Sequence, residues 1–178
     1  MIYVFLADGF EEMEAIAPID LLRRAGVDLQ TVGIGGKIVT GSHGVTIACD
    51  ITEDEMDAGR CTGVILPGGP GRAKLGESPV VLNTLKAVAS KNGLLAAICG
   101  SPPILGQAGY LHGRKACCYP GFEDQLLGAQ VVFDPVVVDG NVITSRGAGT
   151  ATKFALACVH YLASPEKAAE IAGQIVYG

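Results

Sequence analysis

Three uninterrupted apolar runs, Ile2–Ala7, Gly63–Leu66 and Leu94–Ile98, each stop at a glycine-bearing turn: Asp8-Gly9, Pro67-Gly68-Gly69 and Cys99-Gly100. Runs this short are strand-sized, and strands without polar alternation must be covered on both faces. Helical patterns lie between them. Met13, Ile16, Ile19 and Leu22 recur at helical spacing after the acidic Glu11-Glu12, and Gly26 closes that segment behind Arg23-Arg24. Ser78-Pro79 offers an N-cap with proline at the first helical position, starting a helix that reaches Lys91, and Pro102-Pro103 opens another. Leu29–Ile34 reads as a further strand, and Lys37–Val39 with Val45–Ala48 as a hairpin. Later strands are expected near Lys115–Tyr119 and Gln130–Phe133, then a hairpin about Asp139-Gly140-Asn141 leading into Val142–Thr144. Helices over Thr150–Leu162 and Ser164–Tyr177 complete the chain. The alternation predicts an α/β protein with a mainly parallel sheet covered by helices on both faces, one domain over residues 1–178.

Composition removes several alternatives. With 49% hydrophobic and 17% charged residues the chain is not disordered. A net charge of −5 without a Lys/Arg run speaks against nucleic acid as a partner. The uncharged stretch from Gly93 to Leu111 is long enough to span a bilayer, but Pro102, Pro103 and its glycines break it, so no membrane association is expected. The N-terminal run meets Asp8 and Glu11-Glu12 at once and has no basic region before it, unlike a signal peptide; the expected address is the cytoplasm. A mean hydropathy of +0.38 points to apolar surface covered by a second copy, a homodimer. The six cysteines form no C-x-x-C and stand at no metal spacing, so most are read as small buried hydrophobes.

In parallel sheets, sites form outside the carboxyl ends of the strands, which directs attention to Asp8–Glu14, Pro67–Gly71 and Cys99–Pro103. Gly69-Pro70-Gly71 lacks the third glycine of a dinucleotide fingerprint, and Gly71 with Gly76 is followed by Glu77-Ser78 rather than Lys-Ser/Thr. Pro67–Gly71 is therefore either a plain turn or a nest of amides that receives an anion. Ala97-Ile98-Cys99-Gly100-Ser101 has the small neighbours of a nucleophile elbow with Cys in place of Ser, where helix N–H groups are expected to lower the thiol pKa. The alternative is a buried structural cysteine. Glu11, Glu12 and Glu14 all sit where they suit a helix dipole, and one of them could face Cys99; spacing does not choose among them. His43, His112 and His160 are all remote from the elbow in sequence.

These segments together resemble the ThiJ/PfpI family, in the branch of the parkinsonism-associated deglycase and its bacterial relatives. The resemblance runs through Asp8–Glu14, Pro18-Ile19-Asp20, Arg23–Gly26, Leu66–Gly69, Ala96–Cys99 and Thr144–Thr150. It implies a flavodoxin-like three-layer sandwich, a homodimer, and a reactive Cys99 hydrogen-bonded to Glu14. It places the anion pocket at the amides of Gly69 and Gly100, and Arg24 and Arg146 near the dimer and the site rim. The histidine some branches carry after the cysteine is Gly100 here, and the histidine near the cysteine in another branch corresponds to Tyr119, a poor general base near neutral pH. The implied chemistry is cofactor-free conversion of a small dicarbonyl or glycated substrate to a 2-hydroxy acid, with no metal. The alternatives are a redox-sensing stress protein or chaperone acting through oxidation of Cys99, and a thiazole-metabolism relative without the dicarbonyl activity.

Overall fold

The computed structural model describes all residues, 1–178. Seven strands form its central sheet: β1 (Ile2–Leu6), β2 (Leu29–Gly33), β5 (Ile51–Thr52), β6 (Gly63–Leu66), β7 (Leu94–Ile98), β10 (Val136–Asp139) and β11 (Val142–Ser145). Their order across it is β10-β11-β7-β6-β1-β2-β5. Every pairing is parallel except β10 with β11. β1 is flanked by β2 on one side and β6 on the other, so the chain reverses its direction of travel across the sheet at β1. The fold is flavodoxin-like, with helices on both faces.

Alternation within each strand divides the core. Ile2, Val4 and Leu6 face one way with Ile65, Ala96, Ile98 and Ile143, against α1 (Glu12–Arg24), α5 (Ala151–Leu162) and α6 (Pro165–Gln174). Tyr3, Phe5 and Ala7 face the other way with Val64, Leu66, Leu95 and Ala97, against α2 (Arg72–Glu77), α3 (Pro79–Ala89) and α4 (Pro102–Gln107). The strands β1, β6 and β7 are buried along their whole length, as unbroken apolar runs require.

Helix starts follow their capping residues. Ser78 accepts the Val81 N–H at 3.4 Å and Ser164 the Lys167 N–H at 3.1 Å, each with proline next. Gly26 ends α1 at a φ of +76°, where an L side chain would be strained. β3 (Ile38–Thr40) and β4 (Thr46–Ala48) form the expected antiparallel hairpin. The uncharged 93–111 stretch is a strand, a turn and α4, and no helix is long and apolar enough to cross a membrane.

Some expectations are corrected. In α1 the buried residues are Glu14, Ala15, Pro18, Ile19, Leu21 and Leu22, while Met13 and Ile16 are exposed. Ile19 and Leu22 are buried as the spacing predicts, but in the first turns the helix presents Glu14 and Ala15 inward in place of Met13 and Ile16. The strands expected over 115–119 and 130–133 shrink to β8 (Lys115–Ala116) and β9 (Gln130–Val131), paired only with each other. Short edges outside the main sheet have few ladder bonds to extend them. The last helix stops at Gln174, and Val176 has a φ of +55°.

Candidate active site

The three turns meet at the carboxyl ends of β1, β6 and β7. The Gly71 N–H donates to the Gly9 carbonyl at 2.8 Å, and the Glu11 N–H to that of Gly68 at 3.0 Å, locking the first turn to the second. Cys99 follows β7 with a φ of +66°, in the left-handed region that a residue with a Cβ seldom adopts. Such a conformation costs on the order of 1–3 kcal/mol and must be held from outside. Its N–H donates to the Ser145 carbonyl at 2.9 Å and its carbonyl accepts the Tyr119 N–H at 2.7 Å. Ser101, fully buried, donates its hydroxyl to the Pro67 carbonyl at 2.6 Å and ties the elbow to the glycine loop.

Glu14 lies in the first turn of α1 and is 1% exposed. Its Oε2 accepts the Gly68 N–H at 2.8 Å, while Oε1 is buried without a hydrogen-bonding nitrogen or oxygen partner. The two other acids have separate tasks. Glu11 caps the helix by accepting the Glu14 N–H at 2.8 Å. Glu12 accepts the His43 N–H at 2.6 Å and meets the His43 ring at 2.9 Å, fastening the hairpin turn to α1. Burial opposes ionisation of Glu12, but these bonds outweigh it and hold the carboxyl at about 2. Packing thus separates the three glutamates that spacing leaves equivalent.

Burial pushes the Glu14 carboxyl up to about 7, against smaller opposing effects of Cys99 and the Gly68 amide. Burial, followed by the Glu14 carboxylate, pushes the Cys99 thiol up to about 12, while the amides of Gly100 and Gly69 pull it down. The expectation that helix N–H groups lower this pKa is corrected. α4 has only 6 residues and opens on two prolines, which carry no N–H, so the favourable donors are the loop amides instead. Cys99 and Glu14 oppose each other's ionisation and titrate as a pair. When Glu14 is neutral its repulsion disappears, and its O–H can donate to sulfur.

A stability effect follows. Glu14 binds its proton more tightly in the folded protein, at about 7, than an unperturbed glutamate at 4.5. Between those values the native state holds more protons than the unfolded one, so the contribution is full below 4.5 and is lost as pH rises through 7. Unfolding free energy from denaturant titrations should fall by up to about 3 kcal/mol over this window. Glu14→Gln should flatten that slope, and an unchanged slope would reject the assignment.

Tyr119 is half-exposed, with its ring edge-on to Phe122 at 6.3 Å between centroids. A Cβ at Gly147 would sit 3.3 Å from the Tyr119 ring and 4.0 Å from Glu14 Oε1, so this glycine separates the acid from an open cleft of about 450 Å³. Tyr119, Phe133, Arg146 and Gly147 line that cleft, with the Arg146 guanidinium 5.7 Å from the Phe133 centroid. Cys99, Glu14, Gly69, Gly100, Tyr119 and Arg146 are therefore gathered at one end of the sheet. Arg24 is not with them. It pairs with Asp20 at 2.8 Å, ten residues and about 15 Å along the helix from Glu14. Sequence reading also passes over Gly68, where a Cβ would lie 2.6 Å from both Cys99 Cβ and Glu14 Oε2. The glycine run marks the turn without saying what it must clear.

A flavodoxin-like sheet with a left-handed cysteine on the turn after β7, a buried acid beside it and loop amides at its sulfur defines the class: an α/β protein built around a cysteine elbow. A family model described as DJ-1/PfpI matches residues 1–161, and the chain belongs to the DJ-1/PfpI family. It is 42% identical to protein dj-1beta of Drosophila melanogaster, over 95% of this chain and 92% of that protein. The crystal structure of Drosophila DJ-1beta superposes with a TM-score of 0.94 at 40% identity, covering 99% of this chain and 97% of that one. A deglycase of Pyrococcus abyssi is 36% identical over 83% of this chain and 90% of its own length. The glutathione-independent glyoxalase DJR-1.2 of Caenorhabditis elegans is 36% identical over 88% and 85% respectively. Enzymes that handle dicarbonyls or glycation products thus occur among the relatives of this chain.

Proposed function

We propose that this protein converts methylglyoxal, glyoxal or early glycated adducts to 2-hydroxy acids through Cys99, without a cofactor. The observation that carries the reading is the pairing of a strained, accessible cysteine with a buried carboxyl that holds its proton up to about 7. The deglycase and glyoxalase names of two relatives support the substrate class.

In this mechanism the Cys99 thiolate adds to the aldehyde carbon, forming the S–C bond, and the carbonyl oxygen takes a proton from Glu14. Amides of Gly69 and Gly100 stabilise the charge developing beside the sulfur. The Glu14 carboxylate then removes the C–H proton of the hemithioacetal and returns it to the neighbouring ketone carbon, while the hydroxyl proton passes to the ketone oxygen. The first carbon is oxidised and the second reduced, leaving a thioester of the 2-hydroxy acid. Water hydrolyses it and frees the thiol, so methylglyoxal plus water gives lactate. Tyr119 borders the site as a hydrogen-bond donor to the substrate's polar end. The test is lactate release from methylglyoxal by metal-stripped protein. Release is expected from the parent and not from Cys99→Ser; release from both would defeat the reading.

A second reading is favoured by accessibility: Cys99 alone among the six free cysteines is not buried. In it, peroxide oxidises Cys99 stepwise to sulfinic acid, and the amides receive the new oxygens in a stress sensor. A parent protein that forms no lactate, yet is oxidised at Cys99 in a Glu14-dependent way, would select this reading.

A homodimer is part of the same proposal. Met13 and Ile16 on α1, with Ile38 and Val45 on the adjoining hairpin, leave large apolar side chains in solvent. Light scattering at micromolar concentration should give twice the 18.3 kDa chain mass, and a monomer mass would reject the dimer.

A further inference from the structure

Arg72 has no sequence signal attached to it, yet it touches each part of the anion pocket. Its N–H donates to the Gly69 carbonyl at 3.1 Å, bracing the loop that carries one pocket amide. Its side chain crosses to the elbow, where a Cβ at Gly100 would overlap the guanidinium Nε and would lie 2.6 Å from Cδ. The guanidinium carbon then rests 4.6 Å from the centroid of Phe122, within cation–π range. Phe122 is edge-on to Tyr119, and the Tyr119 N–H holds the Cys99 carbonyl at 2.7 Å. No carboxylate lies within ion-pair distance of Arg72. Surface arginines commonly pair with acids; this one is set between a glycine and a ring, one peptide unit away from the nucleophile.

We infer that Arg72 is a positioning residue for the thiolate pocket, holding the Gly100 amide toward Cys99 by filling the space beside Gly100 and bracing it on Phe122. Its unpaired charge favours the anion that the amide receives. Gly100 and Arg72 are one unit: the absent Cβ is the room the guanidinium occupies. This assignment needs only that Cys99 be the reactive thiol and deepens the mechanism above without depending on its substrate.

The experiment is the pH profile of Cys99 alkylation by iodoacetamide, read by peptide mass spectrometry, in the intact protein and four variants. Arg72→Ala should slow alkylation near pH 7 by about tenfold and move the profile to higher pH, since the thiolate loses support. Arg72→Lys, which keeps the charge, should recover the rate to within about threefold of the parent. Gly100→Ala should by itself slow the reaction by about tenfold, because its Cβ expels the guanidinium. The double variant Arg72→Ala/Gly100→Ala should be no slower than either single one, because the added methyl group then enters space already vacated. Additive slowing of about 100-fold, or a parent-like profile in Arg72→Ala, would overturn the inference. The buried Cys158 monitors folding in each sample; if Arg72→Ala exposes it, Arg72→Gln supplies the same comparison, with the same two results deciding. Absence of lactate formation by the parent protein would end the dicarbonyl reading and leave the alkylation result to stand or fall independently.

Discussion

Glu14→Gln should lower methylglyoxal turnover by about 10²-fold or more, the size of a lost acid–base group, while leaving Cys99 alkylation within about tenfold of the parent. The amide side chain keeps the shape and can still donate to sulfur, but it gives up no proton and takes none from the hemithioacetal carbon. The Gly69 and Gly100 amides continue to pull the thiol pKa down, so attack by the thiolate survives better than turnover. The reactive form carries one proton on the Cys99–Glu14 pair. Turnover by the parent should therefore rise as pH approaches about 7, where the pair loses its first proton, and level off above it. Parallel assays of lactate and alkylation separate the two steps. Equal turnover in Glu14→Gln and parent would shift the proton-transfer role to Tyr119.

Gly68→Ala should be as damaging, although it removes no functional group. A Cβ there would meet Cys99 Cβ and Glu14 Oε2 at 2.6 Å each, distances that real carbon atoms do not tolerate. Either the thiol or the acid must move, and the Gly68 N–H bond to Glu14 at 2.8 Å ties the strain to both. Misplacement of reacting groups by about 1 Å costs on the order of 10² in rate, and overpacking of this kind destabilises by roughly 1–3 kcal/mol. Kinetics and denaturant unfolding of the same sample check both effects. Parent-like kcat in Gly68→Ala would mean that the pair is not held as tightly as these contacts require.

The sheet was legible because its central strands are buried on both faces, so their apolar runs are unbroken and end sharply at glycine turns. The elbow was legible for a related reason: Cys99 stands between small residues where only a tight turn fits. Local spacing could not choose among Glu11, Glu12 and Glu14, since all three suit a helix start and only long-range partners distinguish them. His43 claims Glu12, the helix N-terminus claims Glu11, and the β6 loop claims Glu14. Assignment of Glu14 came from family resemblance, and the contacts supply its physical reason. The direction of the Cys99 pKa was misread because burial and a facing carboxylate are tertiary effects. Arg72 was invisible for the same cause, as its meaning depends on Gly100 and Phe122, both distant in sequence.

Limited iodoacetamide labelling, resolved peptide by peptide with and without methylglyoxal, tests the central claim most directly. Cys49, Cys61, Cys117, Cys118 and Cys158 are all buried, and burial pushes each of their thiols up. Cys99 is raised as well, but it is partly exposed, and the Gly69 and Gly100 amides face its sulfur. Cys99 should therefore be modified at least about tenfold ahead of every other cysteine, and methylglyoxal should protect it by occupying its sulfur. Labelling of Cys117 or Cys118 at the same rate as Cys99, or no protection by the dicarbonyl, would contradict the account.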